Sequence, residues 1–219
     1  MNWMLPFDPY SGAFVLIGTL AATWLRCGAR NCGEALRAIG TLLARPFDAE
    51  GTRAELAVQI QEIRERGLLG AEPRHLVDGE FDDLSDRLIK HRSVATLHEE
   101  HERHRSRRMA SAEAAREVLL QAAELSPVLG LAGTLLALGA TGTQAATGNY
   151  AAAIGIAVGT TFFGLICAHF LFVPLASRIA RRAAAEEAAR QELLDWLVEG
   201  AETASQPRRA AKLVKKVAA

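Results

Sequence analysis

Three of the six threonines in the longest uncharged run of the sequence carry hydroxyls that could contact a passing ion. Residues 125–177 contain no Asp, Glu, Lys or Arg, and Thr134, Thr160 and Thr161 fall within them. Such hydroxyls either line a polar path or bond to the backbone of their own helix. A proton relay inside a membrane normally needs an ionisable group. If protons cross at this level, another chain must therefore supply the carboxylate.

Small and polar residues around these threonines recur every three or four positions, so each set forms one stripe along a helix. Thr160 lies on the bulkier side of its helix. Small residues let membrane helices approach closely, so tight packing is one interpretation of the stripes. The other is a polar path past Thr134 and Thr161 near the middle of a membrane. The stripes are Pro127, Gly130, Thr134, Ala137 and Thr141, and Ala153, Ala157, Thr161, Gly164 and Ala168.

The elements that position these residues are predicted to be membrane helices. One crossing needs about 20 apolar residues, so the long uncharged run predicts two, at 125–142 and 149–173. Residues 9–25 are also uncharged and predict a first span rather than a signal peptide, because Asp8 precedes them and no basic segment does. The remaining predicted segments are a short outer N-terminus at 1–8, a cytoplasmic helical domain at 26–124, and a cytoplasmic C-terminal helix and tail at 174–219.

Basic residues set the predicted orientation of these spans. Arg26, Arg30 and Arg37 follow the first span, and Arg178 follows the last, whereas the turn between the second and third spans is uncharged. The positive-inside rule then places the N-terminus outside and the C-terminus in the cytoplasm. The predicted fold class is all-α: an integral membrane protein with three transmembrane helices and long helices that extend into the cytoplasm.

The segments outside the spans show helical apolar periodicity and no strand pattern. Residues 31–45 and 52–66 each predict a helix, a third helix begins after the acidic segment Asp78-Gly79-Glu80, and one long helix can run from Ser93 to Glu124 because it lacks Gly and Pro. Another helix is predicted from Ala183. The residues predicted to face inward are Leu36, Ile39, Leu43, Leu56, Ile60, Ile63, Phe81, Leu84, Leu88, Leu193, Leu194, Leu197 and Val198.

The sequence offers little for other classes of function. The net charge is zero and no basic patch indicates nucleic acid. His98, His101 and His104 lie three apart and could bind a metal, but the interleaved charges favour a solvated helix, so no metal site is predicted. We see no nucleophile–base pair and no phosphate loop, and we predict no catalytic residue, no cofactor and no enzyme. The cysteines are expected to be free thiols.

Several collinear motifs resemble the MotA/TolQ/ExbB family of bacterial channel-forming subunits. Residues 127–134 (PVLGLAGT) are similar to the start of the family's pore helix, and residues 159–165 (GTTFFGL) with 174–176 (PLA) to its last span. Residues 64–72 resemble the cytoplasmic segment of MotA that carries its rotor-facing Arg and Glu. Three spans match the TolQ/ExbB number, whereas MotA has four.

The resemblance implies a bacterial inner-membrane complex. Five copies of the chain would surround a dimer of a single-span partner like MotB, ExbD or TolR, whose Asp takes up and releases the ion. Ion flow would drive mechanical work, as a flagellar motor stator or a transport energiser. The alternative is an oligomeric scaffold in the lipid bilayer that conducts nothing, and the sequence leaves proton against sodium open.

The resemblance also implies roles for individual residues, which stand here as expectations. The ion path would be lined by Thr134, Thr161 and Thr160. The helices would be shaped by Pro127, Pro174, Gly130 and Gly164. A cytoplasmic gate or partner contact would involve Glu124, Arg64 and Glu72.

Overall fold

The chain folds into helices joined by short connections. The structure, a computed structural model, describes residues 9–44, 46–66, 75–91, 94–142 and 150–217. Within these ranges there is no strand, and the predicted all-helical class is confirmed. The helices are α1 (Pro9–Leu43), α2 (Ala49–Arg66), α3 (Gly79–His91), α4 (Val94–Gly142), α5 (Tyr150–Ile166) and α6 (Val173–Val217), and a π-helical segment, Cys167–Phe172, joins α5 to α6.

Three helical stretches are long and apolar enough to cross a membrane. They are Pro9–Leu43, Leu97–Gly139 and Ala153–Thr203. The prediction of a three-span membrane protein is therefore confirmed. The first stretch differs from expectation in one respect, because the predicted span and the predicted helix at 31–45 are merged into α1 across a kink. Gly28 makes this kink at φ 77°, a backbone conformation that glycine adopts at little cost.

The structure divides into two compact units. The first unit comprises Met1–Arg45 and Ala110–Arg182, and the second comprises Pro46–Met109 and Ala183–Ala219. Both α4 and α6 contribute residues to each unit.

Large aliphatic side chains and a phenylalanine form the core of the second unit. The inward faces predicted for α2, α3 and the C-terminal helix are confirmed there, since their residues are at most 4% exposed or pack against the core. Burying each such side chain contributes about 1.5–3 kcal/mol relative to leaving it exposed. The fully buried members are Leu56, Ile63, Phe81, Leu84, Leu88, Leu97, Leu194 and Leu197.

Alanines dominate the core of the first unit, together with Val118, Leu119, Phe172 and Ile179. Of the inward face predicted for residues 31–45, only Ile39 is confirmed, since it packs against this core, as does Leu42. The prediction is wrong for Leu36 and Leu43, which are 71% and 89% exposed, and Ala35 is buried instead. The segment carries apolar residues on two faces, so periodicity alone could not choose between them, and the kink at Gly28 precedes the face that packs.

The π-helical segment lies directly before Pro174. The backbone N–H of Val173 donates to the carbonyl of Ala168, five residues earlier, instead of four as in an α-helix. Proline cannot donate such a bond, and its ring clashes with the carbonyl four residues before it. The wider π turn makes room for that ring. Pro174 thus alters the shape of the third span, because the helix is locally wider just before it.

Candidate functional site

Two glycines form the closest approach between α4 and α5. A Cβ atom added to Gly130 would lie 2.8 Å from the carbonyl oxygen of Thr160, and one added to Gly164 would lie 2.8 Å from the carbonyl oxygen of Ser126. Both distances are shorter than a Cβ atom tolerates against backbone, so only glycine fits. The tight-packing interpretation therefore holds for these two members of the small-residue stripes. Close packing of this kind is what small residues provide in membrane helices.

The hydroxyls of Thr134, Thr160 and Thr161 each donate to their own helix. Thr134 Oγ1 donates to the carbonyl of Leu131 at 2.7 Å, whereas Thr160 and Thr161 both donate to the carbonyl of Ala157, at 2.9 and 3.3 Å. A hydroxyl has one hydrogen and two lone pairs. Each oxygen therefore remains an acceptor toward its surroundings, which suits a protonated carboxyl or a hydrated cation better than an anion.

Exposure separates these three threonines. Thr160 is only 3% exposed and lies against Gly133, where an added Cβ would be 2.9 Å from its side chain. Thr134 and Thr161 are partly exposed. The Cα of Thr161 lies against Gly130, and Thr134 follows Gly130 by about one helical turn. Thr160 is thus packed within its own chain, while Thr134 and Thr161 keep surface that another chain can contact.

The Thr160 side chain lies at a pocket of about 260 Å³. Residues of α1, α4 and α5 line it, and most of the lining is apolar. Ser11 of α1 and Thr160 of α5 each place a hydroxyl-bearing side chain at this cavity. Thr160 therefore borders this pocket, which three helices of the first unit form.

Three hydroxyl side chains lie on the buried face of α1, and no role was predicted for them from the sequence. Ser11, Val15, Thr19 and Thr23 recur every four residues and are all buried. Thr19 donates to the carbonyl of Val15 and Thr23 to the carbonyl of Thr19, each at 2.7 Å. The four-residue recurrence of polar residues in the uncharged segment was the signal that could have revealed this face.

Pro127 lies at the same helix crossing as the two glycines. Its Cα is 3.3 Å from the position of a Cβ on Gly164. Pro127 has no N–H, so the carbonyl of Ala123, four residues earlier, loses its helical partner inside α4. A freed carbonyl next to a close helix contact gives this level of α4 a polar group that a regular helix would not offer.

Two of the three residues expected at a cytoplasmic gate lie within the described structure. Glu124 lies 3.8 Å from Arg26, and both side chains are more than half exposed. Arg64 is exposed in the last turn of α2. Glu72 lies outside the described residues.

The three histidines considered as metal ligands do not converge. His98 is exposed, His104 is partly exposed, and His101 is 1% exposed between two glutamates. Asp83, Glu100 and His104 do come together. Arg87 already bonds Asp83 at 3.1 Å and Glu100 at 3.4 Å. We therefore assign this group as an ion-pair cluster and not as a metal site.

The second unit also buries charges that the sequence analysis did not identify. Asp78 precedes α3, and its Oδ1 accepts from the backbone N–H groups of Glu80 and Phe81 as an N-cap. Arg190 of α6 donates to both carboxylate oxygens of Asp78, at 3.0 and 2.9 Å. Burial alone would raise the pKa of Asp78, but the bonds and charge of Arg190 and the cap bonds hold it below its ordinary value. Burial likewise opposes the charge of Arg190, and its carboxylate partners raise the pKa of Arg190 overall.

Comparison with known proteins gives the family of the chain. The sequence matches the MotA/TolQ/ExbB proton channel family over residues 72–192, which is more than half of its length. The chain belongs to this family. The matched region includes Thr134, Thr161 and both glycines of the helix crossing. The resemblance inferred from the short motifs is therefore confirmed, while no curated protein matches the sequence significantly.

Two solved structures share the fold of this MotA/TolQ/ExbB family member. The structure of C. jejuni MotAB has a TM-score of 0.82 and 18% sequence identity, and the match covers 98% of this chain and 86% of that chain. The flagellar MotAB stator complex from Bacillus subtilis has a TM-score of 0.79 and 18% identity, over 100% of this chain and 91% of that one. The likeness therefore extends beyond the matched family region to α1 and α6.

Proposed function

We propose that this chain is the ion-conducting subunit of a bacterial inner-membrane complex that couples proton flow to mechanical work. In this proposal the ion passes the partly exposed hydroxyls of Thr134 and Thr161. The N-terminus lies outside and the C-terminus in the cytoplasm. The chain acts as a channel subunit and not as an enzyme.

One observation carries the proposal. Thr134 and Thr161 keep exposed surface and acceptor oxygens in helices whose run 125–177 holds no Asp, Glu, Lys or Arg. A charge at the centre of a bilayer costs about 3 kcal/mol or more. Hydroxyl oxygens and small side chains can accommodate a carboxyl group that alternates between its neutral and charged forms, but they cannot replace it.

The missing carboxylate defines the proposed partner. It is a dimeric single-span membrane protein like MotB, ExbD or TolR, with an Asp at mid-membrane, surrounded by five copies of this chain. Both similar structures are of MotAB, and one is a flagellar stator complex. This similarity supports a partner of this kind here.

Other residues receive supporting roles in the proposal. Pro127, Gly130 and Gly164 shape the helix pair at the ion path, and Pro174 shapes the span that follows. Thr160, packed within its own chain, positions α5 against α4 and reaches the path only through the cavity. Arg64, which is exposed, and Glu72 are proposed contacts for a cytoplasmic partner, with Glu124 at the gate.

A threonine series tests the ion path. Thr161→Val keeps the shape of the side chain and removes its hydroxyl, and we expect it to reduce proton flux at least tenfold in cells that also express the partner. Flux is read as the rate of cytoplasmic acidification after an external acid step, with sodium present or replaced by potassium. Thr161→Ser should retain flux because it keeps the hydroxyl.

The matched control for that series is Thr19→Val, which removes a hydroxyl that α1 buries and bonds to Val15. It should leave the flux within about twofold of the wild type. Unchanged flux in Thr161→Val, with the complex still assembled, would contradict the proposed path. An acidification rate that is the same with sodium present or replaced would identify the proton as the ion.

Native mass measurement of the complex tests the partner. The chain is co-expressed with a single-span protein, encoded beside it, that carries an intramembrane Asp. We expect five copies of this chain with two partner chains. A stable oligomer that takes up no partner would favour the scaffold alternative, for which the close packing of Gly130 and Gly164 is the supporting observation.

A further inference from the structure

A single histidine in the second unit lies between two buried carboxylates. His101 of α4 is 1% exposed, and its Nδ1 lies 2.9 Å from Oε1 of Glu80 at the start of α3. On the other side of the ring, Nε2 lies 3.3 Å from Oε1 of Glu187 in α6. The side chains of Glu80 and Glu187 are 5% and 11% exposed. Three helices of one unit therefore meet at one imidazole ring.

The two ring nitrogens require more protons than a neutral histidine has. A neutral imidazole carries one N–H and one lone pair, whereas an ionised carboxylate only accepts. A neutral ring would therefore turn a lone pair toward one of the two glutamates. Nε2 of His101 and Oε1 of Glu187 are both buried without a hydrogen bond of good angle, and they lie within ion-pair distance of each other. A proton on Nε2 converts that repulsion into an attraction.

Two arginines also bond to these glutamates. Arg108 donates to Oε2 of Glu80, and also to Oε2 of Glu187 at 2.8 Å. Arg190 donates to Oε2 of Glu80 at 2.8 Å. A guanidinium next to a carboxylate favours its charged form. The extra proton therefore belongs on the imidazole and not on either glutamate.

The charge balance of the cluster leads to the same conclusion. Three carboxylates at its centre face two arginines, so the centre is neutral only when His101 is an imidazolium. At the more exposed rim, Glu186 of α6 and the Arg105–Glu102 pair of α4 add two negative charges and one positive charge. The central groups are Asp78, Glu80, Glu187, Arg108, Arg190 and His101.

We propose that Glu80, His101 and Glu187 form a proton-binding site in the second unit. The site takes its proton from water and returns it to water, and the bound proton ties α4 to both α3 and α6. Loss of the proton at alkaline pH leaves the centre with unbalanced negative charge and loosens the packing of these three helices. This inference does not depend on the proposed ion path.

Histidine nitrogen NMR of the full-length protein in detergent micelles tests the site directly. An imidazolium gives two nearly equal nitrogen shifts, and a neutral ring gives two well-separated shifts. The sequence has six histidines, and His101→Gln and His98→Gln assign a buried and an exposed one on the same helix. We expect His101 to give the imidazolium pattern at a pH at which His98 already gives the neutral pattern. A His101 ring that becomes neutral together with His98 would overturn the proposal.

Thermal unfolding provides the second readout, with Trp196 as the only tryptophan after Trp3→Phe and Trp24→Phe. The unfolding midpoint should fall between about pH 6 and about pH 9, the range over which histidines titrate. His98→Gln should keep this fall, and His101→Gln should abolish most of it. If His101→Gln does not fold, the nitrogen NMR spectrum of the wild type still tests the proposal. One of the six histidines must then stay an imidazolium at a pH at which the exposed histidines are neutral. An equal slope in both variants would contradict the site.

Discussion

The two units bury polar groups by different means. In the first unit the buried or partly buried hydroxyls of Thr19, Thr23 and Thr160 donate to carbonyls of their own helices. In the second unit, carboxylates, guanidiniums and one imidazole bond between α3, α4 and α6. A hydroxyl bonded within its helix needs nothing from a neighbouring helix, whereas each member of the charge cluster needs partners from another element.

Packing differs in the same direction. Alanine and glycine bring the helices of the first unit together, and leucine and phenylalanine fill the second. Lipid tails are as apolar as leucine, so large aliphatic side chains give membrane helices little reason to associate, and close contact has to come from small residues. In water, burial of the same large side chains is the main driving force. The glycine contacts at Gly130 and Gly164, inside the predicted spans, therefore fit a lipid environment, and the leucine-rich core of the second unit fits water.

This difference determines how each unit should respond to substitution. In the first unit, adding one carbon at a helix crossing causes steric overlap with backbone. In the second unit, removing one charge leaves other buried charges without partners. The substitutions below separate these two kinds of sensitivity, beginning with the largest expected loss of stability.

Arg190→Met should cause the largest loss. Arg190 pairs with Asp78 and Glu80 and lies over the ring of Phe47, with its guanidinium carbon 4.1 Å from the ring centroid. Methionine keeps an apolar contact with that ring but leaves Asp78 without its arginine and Glu80 with Arg108 alone. Breaking a buried ion pair from one side typically costs about 3–5 kcal/mol. Denaturant unfolding followed through Trp196 measures the change in the free energy of unfolding.

The matched control is Arg103→Met in the same unit. Arg103 is 59% exposed and pairs with Glu99 on its own helix, so its removal should cost no more than about 0.5 kcal/mol. Equal losses in the two variants would mean that the buried cluster contributes no more than a surface pair. The comparison between the units would then rest on packing alone.

Gly130→Ala should cause the next largest loss, and it probes the first unit. The new Cβ would lie 2.8 Å from the carbonyl oxygen of Thr160, and such overpacking typically costs about 1–3 kcal/mol. Gly139→Ala, on the same helix, meets nothing within 4 Å and should be neutral or stabilising by up to about 1 kcal/mol. Detergent-induced unfolding followed by circular dichroism compares the two. Similar stabilities would show that α4 and α5 can separate without loss.

The sequence predicted the elements that have a strong periodic signal. The uncharged runs predicted three spans, and the regular leucine and isoleucine spacing of α2 and α3 predicted the faces that these helices bury. It failed where the pattern was ambiguous. Ile39 was predicted to pack and does, but Leu36 and Leu43, predicted on the same face, are exposed, and Ala35 and Leu42 pack instead.

The charge cluster was missed for a different physical reason. His101 lies within a segment rich in Glu and Arg, and a buried network of charges has the same composition as a solvated helix face. Its partners lie 21 residues away at Glu80 and in a different part of the sequence at Glu187. A pattern within one helix does not contain that information. The capping of α3 by Asp78, by contrast, involves neighbours in sequence and could have been recognised from the Asp78-Gly79-Glu80 segment.

Arg26→Gln should have the smallest effect and completes the comparison. Arg26 lies 3.8 Å from Glu124 in the first unit, with 53% and 66% of the two side chains exposed. An exposed ion pair contributes about 0–1 kcal/mol, so the free energy of unfolding should hardly change, in contrast to Arg190→Met. If Glu124 acts at a gate, as proposed, proton flux in Arg26→Gln cells should nevertheless change, because the carboxylate loses a neighbouring cation that restrains it. A loss of stability comparable to that of Arg190→Met would show that charge pairs are as important in the first unit as in the second.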